Sequence, residues 1–220
     1  MFAVRVFIEP TLILAGHDCG GRRALPKRMS DETNGETDAQ LLQLVARGDH
    51  MAFGRLYDRF CRPLFSMALR ILGDVRETED VVQEAFISLW EKSSTFAADR
   101  GTAFSWAVTL TRNRAIDRLR RRKRRSELLD NAAPADLGYE TDAGAGDYAL
   151  PLDLQEKARQ VRSALAVLPA EQKRALELAF FSGLTQQQIS EQLSEPLGTV
   201  KARIRRGLLK LRDALRSDHD

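Results

Sequence analysis

Apolar residues recur at helical spacing along most of the chain, and nowhere do they show the period of two that marks a strand. From Asp38, read as an N-cap, Leu41, Leu42, Leu44 and Val45 form a short apolar stripe closed by Gly48. Phe53, Leu56, Tyr57, Phe60, Leu64, Phe65, Ala68, Leu69 and Leu72 repeat at i, i+3, i+4. That spacing predicts one or two amphipathic helices between Ala52 and Leu72, with Pro63 the place for a bend and Gly73 the stop. Val81, Val82, Ala85, Phe86, Leu89 and Trp90 predict a helix over 78–92. Ser93 to Thr102 reads as a loop, and a long helix runs from about Ala103 into an arginine tract.

Residues 126–153 are dominated by Ala, Asp, Gly and Pro, without apolar period, and read as a linker. Helices resume at Leu154. Val161, Leu165 and Leu168 share a face, and Pro169 opens a helix at its first turn that Gly183 stops. Thr185 and Gln188 form a capping-box pattern ahead of a short helix. A turn over Ser194–Gly198 then leads to a last helix from Thr199 to about Arg216. The fold class is therefore all-α: two small helical domains, 38–125 and 154–216, joined by a flexible acidic linker, the C-terminal one a helix-turn-helix.

At about 100° per residue, Val200, Ile204, Leu208, Leu211 and Leu215 fall on one face of the last helix and are expected to pack inward. Thr199, Ala202, Arg206 and Asp213 fall opposite, with Arg205 on one flank and Arg203 and Lys210 on the other. Such a helix enters the major groove by its N-terminal half. Arg205 and Arg206 suit guanine O6 and N7, whereas Lys201, Arg203 and Lys210 suit phosphates.

Charge sharpens this picture. The net charge of +3 averages over unlike segments: 112–125 holds nine bases and one acid, 126–156 eight acids and no base, and 201–216 seven bases and one acid. Two basic stretches about an acidic spacer predict two nucleic-acid contacts. The run Arg118, Arg120, Arg121, Arg122, Lys123, Arg124, Arg125 is too dense to be neutralised internally and is expected to bind phosphate. Along that helix Phe104, Val108, Ala115 and Leu119 lie on one side. Trp106, Leu110, Asn113 and Asp117 lie on the other, flanked by Arg114 and Arg121. Wheel arithmetic does not choose which side meets DNA. Phe96, Phe104 and Trp106 offer stacking surfaces for unpaired bases.

Two cysteines are too few for a disulfide framework, and the three histidines are scattered. No phosphate loop, nucleophile elbow or membrane-spanning apolar run is present. No cofactor, metal or catalytic residue is expected, and the default location is cytoplasmic. Residues 1–37 are expected to be a disordered extension, or one that arises because translation starts at Met29.

Six segments together carry a family resemblance. Asp80-Val81-Val82-Gln83-Glu84-Ala85-Phe86-Ile87-Ser88-Leu89-Trp90, then Phe104-Ser105-Trp106, then Arg112-Asn113-Arg114-Ala115-Ile116-Asp117-Arg118-Leu119-Arg120-Arg121 resemble the second region of bacterial RNA polymerase sigma factors. Leu168-Pro169, Gly183-Leu184-Thr185 and Pro196-Leu197-Gly198-Thr199-Val200-Lys201-Ala202-Arg203 resemble their fourth. The absence of a domain between them resembles the extracytoplasmic-function subfamily. The resemblance implies that Asp80, Gln83 and Glu84 meet the clamp helices of core polymerase. It implies that the loop from Phe96 to Ala103, with Phe96 and Arg100 as its contact residues, captures a flipped base of the minus-ten element. Trp106, Arg112, Asn113, Arg114, Arg118 and Arg121 would hold DNA beside that loop. Thr199, Lys201, Arg203, Arg205, Arg206 and Lys210 would meet the minus-thirty-five element. The implied partners are core RNA polymerase, promoter DNA and an anti-sigma protein, often membrane-anchored in relatives, with no membrane insertion by this chain. Where relatives often have glycine in the helix-turn-helix turn, this chain has Ser194, followed by Glu195.

The rival reading is an autonomous helix-turn-helix regulator, which leaves Asp80–Trp90 and the aromatic loop without a purpose. A nucleic-acid-processing enzyme would have only Asp80 and Glu84, one turn apart, as metal ligands.

Overall fold

The computed structural model describes residues 36–129 and 152–217, with side chains over 36–125 and 159–215. The extension over 1–35 and the linker over 130–151 lie outside the described residues. Among these residues there is no strand. The chain divides into two compact units, on either side of the Gly146/Asp147 boundary.

In the first unit, α1 (Asp38–Val45), α2 (His50–Leu72), α3 (Val75–Lys92) and α4 (Ala103–Leu129) pack around one core. The N-cap of α1 is Thr37, not Asp38: the Thr37 hydroxyl accepts from the Gln40 N–H, and Gln40 Oε1 accepts from the Thr37 N–H at 2.8 Å. A capping box satisfies two orphan amides at once, so it outcompetes a lone carboxylate one residue later. Asp38 instead takes the Arg59 guanidinium at 2.7 Å, and Glu36 pairs with Arg55. Glu36 and Thr37 thus belong to the folded unit.

α2 is one continuous helix through Pro63, ended by Gly73 in left-handed geometry (φ 68°). α3 begins three residues earlier than the apolar stripe suggests, because Asp74 caps it by accepting from the Glu77 N–H at 2.8 Å. Phe53, Leu56, Leu64, Phe86 and Leu89 are fully buried, and Phe53 meets Phe86 and Trp90 edge-on. α4 continues to Leu129, past the expected boundary at 125.

The second unit holds α5 (Leu152–Ala166), α6 (Ala170–Phe181), α7 (Gln186–Leu193) and α8 (Leu197–Ser217). Pro169 is the N-cap of α6 rather than its first residue. On α5 Ala164 and Leu168, just past its end, are buried, while Val161 is exposed. Leu178, Ile189 and Val200 form the core, with Leu184, Leu193 and Ile204 packed against it.

Two features of α8 differ from expectation. It starts at Leu197, and Leu208 is 54% exposed instead of packed. On the wheel Gly207 lies about 20° from Val200 and Leu208 about 80°. A glycine does not register as apolar, so the seam passes unnoticed through it. A Cβ at Gly207 would stand 2.8 Å from Leu176 Cδ1 and 3.5 Å from Gln172 Cβ, so α6 and α8 approach closely there.

Ser194 closes α7 in left-handed geometry (φ 52°, ψ 42°) and is the one non-glycine residue with positive φ among the described residues. The Glu195 N–H donates to the Ser190 carbonyl at 3.0 Å and so holds the turn.

Both features generate tests. Gly207→Leu forces apart two packed helices and should destabilise by about 1–3 kcal/mol, read by urea unfolding of the full chain. Ser194→Gly relieves a left-handed penalty of about 1–2 kcal/mol and loses about 0.5–1 kcal/mol to unfolded-state freedom. It should therefore raise stability slightly; a lower unfolding midpoint would show that the serine makes a compensating contact.

Candidate nucleic-acid interface

The alternation of buried and exposed positions along α3 sets its outward face. Val81, Val82, Ala85, Phe86, Ser88 and Leu89 are buried, which leaves Asp80, Gln83 and Glu84 exposed. α4 packs inward through Ala103, Ala107, Thr111 and Ala115, four residues apart, and through Ile116 and Leu119. The Thr111 hydroxyl is satisfied by the Ala107 carbonyl at 2.9 Å. Small side chains let α4 lie close to its neighbours, so its long cations reach across to α3.

They do so as a ladder. Arg114 Nη1 donates to Glu84 at 2.9 Å and its other terminus to the Ser88 hydroxyl. Arg118 Nη2 lies 3.3 Å from Glu84 and 3.8 Å from Asp80. Arg122 Nη1 lies 3.4 Å from Glu77 and donates to the Leu72 carbonyl at 3.1 Å, at the C-terminal end of α2. The pairing runs antiparallel, 77 with 122 and 84 with 114. Each rung is partly solvated, so each contributes at most about 1 kcal/mol. Part of the arginine run is thus neutralised internally, against expectation. Acids at 77, 80 and 84 and arginines at 114, 118 and 122 keep one-turn steps on both helices, so the pairing repeats once the packing has set the two helices side by side. Asp80 and Glu84, far from forming a metal pair, share Arg118.

The remaining minus-ten candidates are spread over two levels of exposure. Asn113 and Arg121 are exposed on α4, and Arg100 is exposed on the short turn Ala98–Arg100. Arg112 is half-buried, and burial, with Arg120 nearby as the lesser cause, holds its guanidinium below the ordinary value. Phe96 and Trp106 are half-buried against each other, ring centroids 5.7 Å apart and tilted by 45°. Phe104 is half-buried and its ring packs against the buried Phe60 at 5.2 Å.

In the second unit the Thr185–Gln188 capping box forms as the sequence predicts, with Gln188 Oε1 accepting from the Thr185 N–H at 2.9 Å. α8 presents Lys201, Arg205, Arg206 and Lys210 to solvent, and Thr199 is half-buried. Among the described residues no carboxylate lies within ion-pair distance of those four cations. Arg206 Nε donates to the Ala202 carbonyl at 3.3 Å, which lays its side chain along the helix. Arg203 behaves differently. Its side chain is only 16% exposed, paired with Glu195 and, at 2.9 Å, with Glu171. The hydrogen bond that Arg203 donates to Glu195 is the main cause of a raised guanidinium pKa, opposed by desolvation and aided by the charges of Glu171 and Glu195.

Comparison with known proteins agrees in both units. The sigma-70 region 2 family model matches residues 56–125, and the sigma-70 region 4 model matches residues 158–211. The ECF RNA polymerase sigma factor SigK of Mycobacterium ulcerans (strain Agy99) is 32% identical over 190 residues, 86% of this chain and 97% of that protein. SigK of Mycobacterium bovis (strain BCG / Pasteur 1173P2) is 30% identical over 191 residues, with the same shares. Among solved structures, the chain is similar to Rhodobacter sphaeroides SigE in complex with the anti-sigma ChrR. There the identity is 27%, the match covers 80% of this chain and 97% of that one, and the TM-score is 0.41. With two region models in order and relatives at 30–32% identity matched over 97% of their length, this chain belongs to the extracytoplasmic-function sigma factors, which bind core RNA polymerase and direct it to specific promoters to initiate transcription.

Proposed function

We propose that the two units divide the work of promoter recognition. The first, residues 38–125, docks core polymerase through Asp80, Gln83 and Glu84 on α3 and engages the minus-ten element. Phe96, Arg100 and Trp106 take the separated strand, and Arg112, Asn113, Arg114, Arg118 and Arg121 hold DNA beside it. The second, residues 154–216, reads the minus-thirty-five element through Thr199, Lys201, Arg205, Arg206 and Lys210. Residues 126–153 tether the two, their negative charge suited to a basic, nucleic-acid-lined path. The chain itself performs no chemistry: catalysis stays with the polymerase, and the chain acts in the cytoplasm beside it. An anti-sigma protein is the proposed regulator, as the family resemblance implies.

The observation that carries this reading is the solvent face of α8. Among the described residues, four cations stand on it without carboxylate partners, on a helix that follows a capped helix and a tight turn. A free basic face of that kind attracts phosphate and leaves arginine termini available to base edges. The ladder between α3 and α4 adds a condition. Glu84 is proposed for polymerase and Arg114 and Arg118 for DNA, yet they hold one another here, so binding either partner exchanges these pairs. Pairs worth at most about 1 kcal/mol exchange readily for charge-assisted contacts.

Run-off transcription with core polymerase tests the reading as a whole. A promoter-specific transcript is expected only with both proteins present; specific duplex binding by the chain alone would favour the autonomous regulator. Phe96→Ala should harm transcription from a duplex promoter more than from one with a pre-opened bubble, because trapped single strand offsets the cost of melting. Equal loss on both templates would remove strand capture from this loop. Arg206→Ala should relax preference at one or two upstream base pairs by about 5- to 150-fold, the worth of one bidentate contact. Lys210→Ala should instead weaken all promoters alike and lower the salt dependence by about one ion.

A further inference from the structure

We infer that Arg203 is a positioning residue, which locks the recognition helix to the helix-turn-helix turn and to α6 and makes no contact with DNA. The inference rests on the proposed placement of α8 in the upstream element and changes the role that composition alone would assign to this arginine.

Three parts of the second unit meet on its guanidinium. Nη2 lies 2.9 Å from Glu171 Oε2, in the first turn of α6, and Nη1 donates to the Glu195 carboxylate in the turn. Arg203 itself sits two turns into α8, about 60° from Val200 on the wheel and so on the rim of the packed face. Glu195 is held in turn from both sides. Its N–H donates to the Ser190 carbonyl at 3.0 Å, its carbonyl accepts from the Ser190 hydroxyl, and the left-handed Ser194 precedes it. The entry angle of α8 is therefore set by one charged side chain reaching across the turn that launches the helix.

Charge decides against a DNA contact. Two carboxylates share one guanidinium, so the node carries net negative charge while Arg203 remains in it. Withdrawing Arg203 to a phosphate would leave two acids uncompensated beside DNA. The planar fork of arginine suits two acceptors at once, which the point charge of lysine does not. Lys201, Arg205, Arg206 and Lys210, exposed and without acid partners among the described residues, are left to meet DNA.

The two roles of Arg203 predict opposite signs when its partners are removed. Glu195→Ala and Glu171→Ala are measured in the full chain, reconstituted with core polymerase, on promoters that differ only in the upstream element. Circular dichroism confirms helicity. If Arg203 positions the helix, each substitution should reduce discrimination between those promoters by about three- to tenfold, part of the worth of a bidentate contact, at unchanged salt dependence. Arg203→Lys should show the same loss although it keeps the charge. Were Arg203 a phosphate anchor, removing either acid would strengthen binding to every promoter and steepen the salt dependence, which overturns the inference. A uniform loss on all promoters also overturns it, since that is the mark of lowered stability alone. Arg206→Ala serves as the control. Lost discrimination in Arg206→Ala but not in the acid variants defeats this inference only. No loss in any of them defeats the placement of α8 itself.

Discussion

Like-charge repulsion along α4 is the constraint around which the first unit is arranged. A helix that ends in a nearly unbroken run of arginine and lysine gains little from its own packed stripe, which is mostly alanine. Small residues bring the helix close to its neighbours, and Ile116 and Leu119 add larger apolar area to the seam. The acids of α3, spaced at one-turn intervals, offset part of the repulsion, and the C-terminal carbonyl of α2 accepts from a third arginine. The core of Phe53, Tyr57, Phe86 and Leu89 fixes α3 firmly enough for its carboxylates to stand opposite those arginines.

The same ladder gives the surface its functional character. Charges proposed for polymerase and charges proposed for DNA are neighbours on two antiparallel helices, and in the free protein they satisfy one another. Partly solvated pairs of this kind are inexpensive to exchange, so they restrain the two faces without locking them. A sigma factor that must take core enzyme and promoter in the same act benefits from surfaces whose charges are held but available.

The second unit solves a different problem, the presentation of one helix at a defined angle. Its core is small, three buried residues with four partly buried partners, and leaves the helix orientation to close contacts at its edge. Gly207 lets α6 approach from one side, and Arg203 ties the turn and the start of α6 from the other. Ser194 carries the left-handed backbone that the turn demands, although glycine would adopt it at less cost.

By itself the sequence determined the helical class, the order of the helices, the two-unit division, the capping box at Thr185 and the face of α3 that meets solvent. These follow from short-range rules: apolar period, cap chemistry and the side a residue takes on a helix some three or four positions from its neighbour. Boundaries slipped where two local signals competed, as at Thr37 against Asp38 and at Asp74 ahead of the apolar stripe. Tertiary structure alone decided which charges pair. Arg203 and Arg206 are the same residue type on the same helix, three positions apart, yet one is enclosed by Glu171 and Glu195 and the other faces water. Glu171 lies 32 residues from Arg203, and Glu84 lies 30 from Arg114. A carboxylate that distant in the chain comes opposite an arginine only when the core has set the helix packing, and no local pattern encodes that distance.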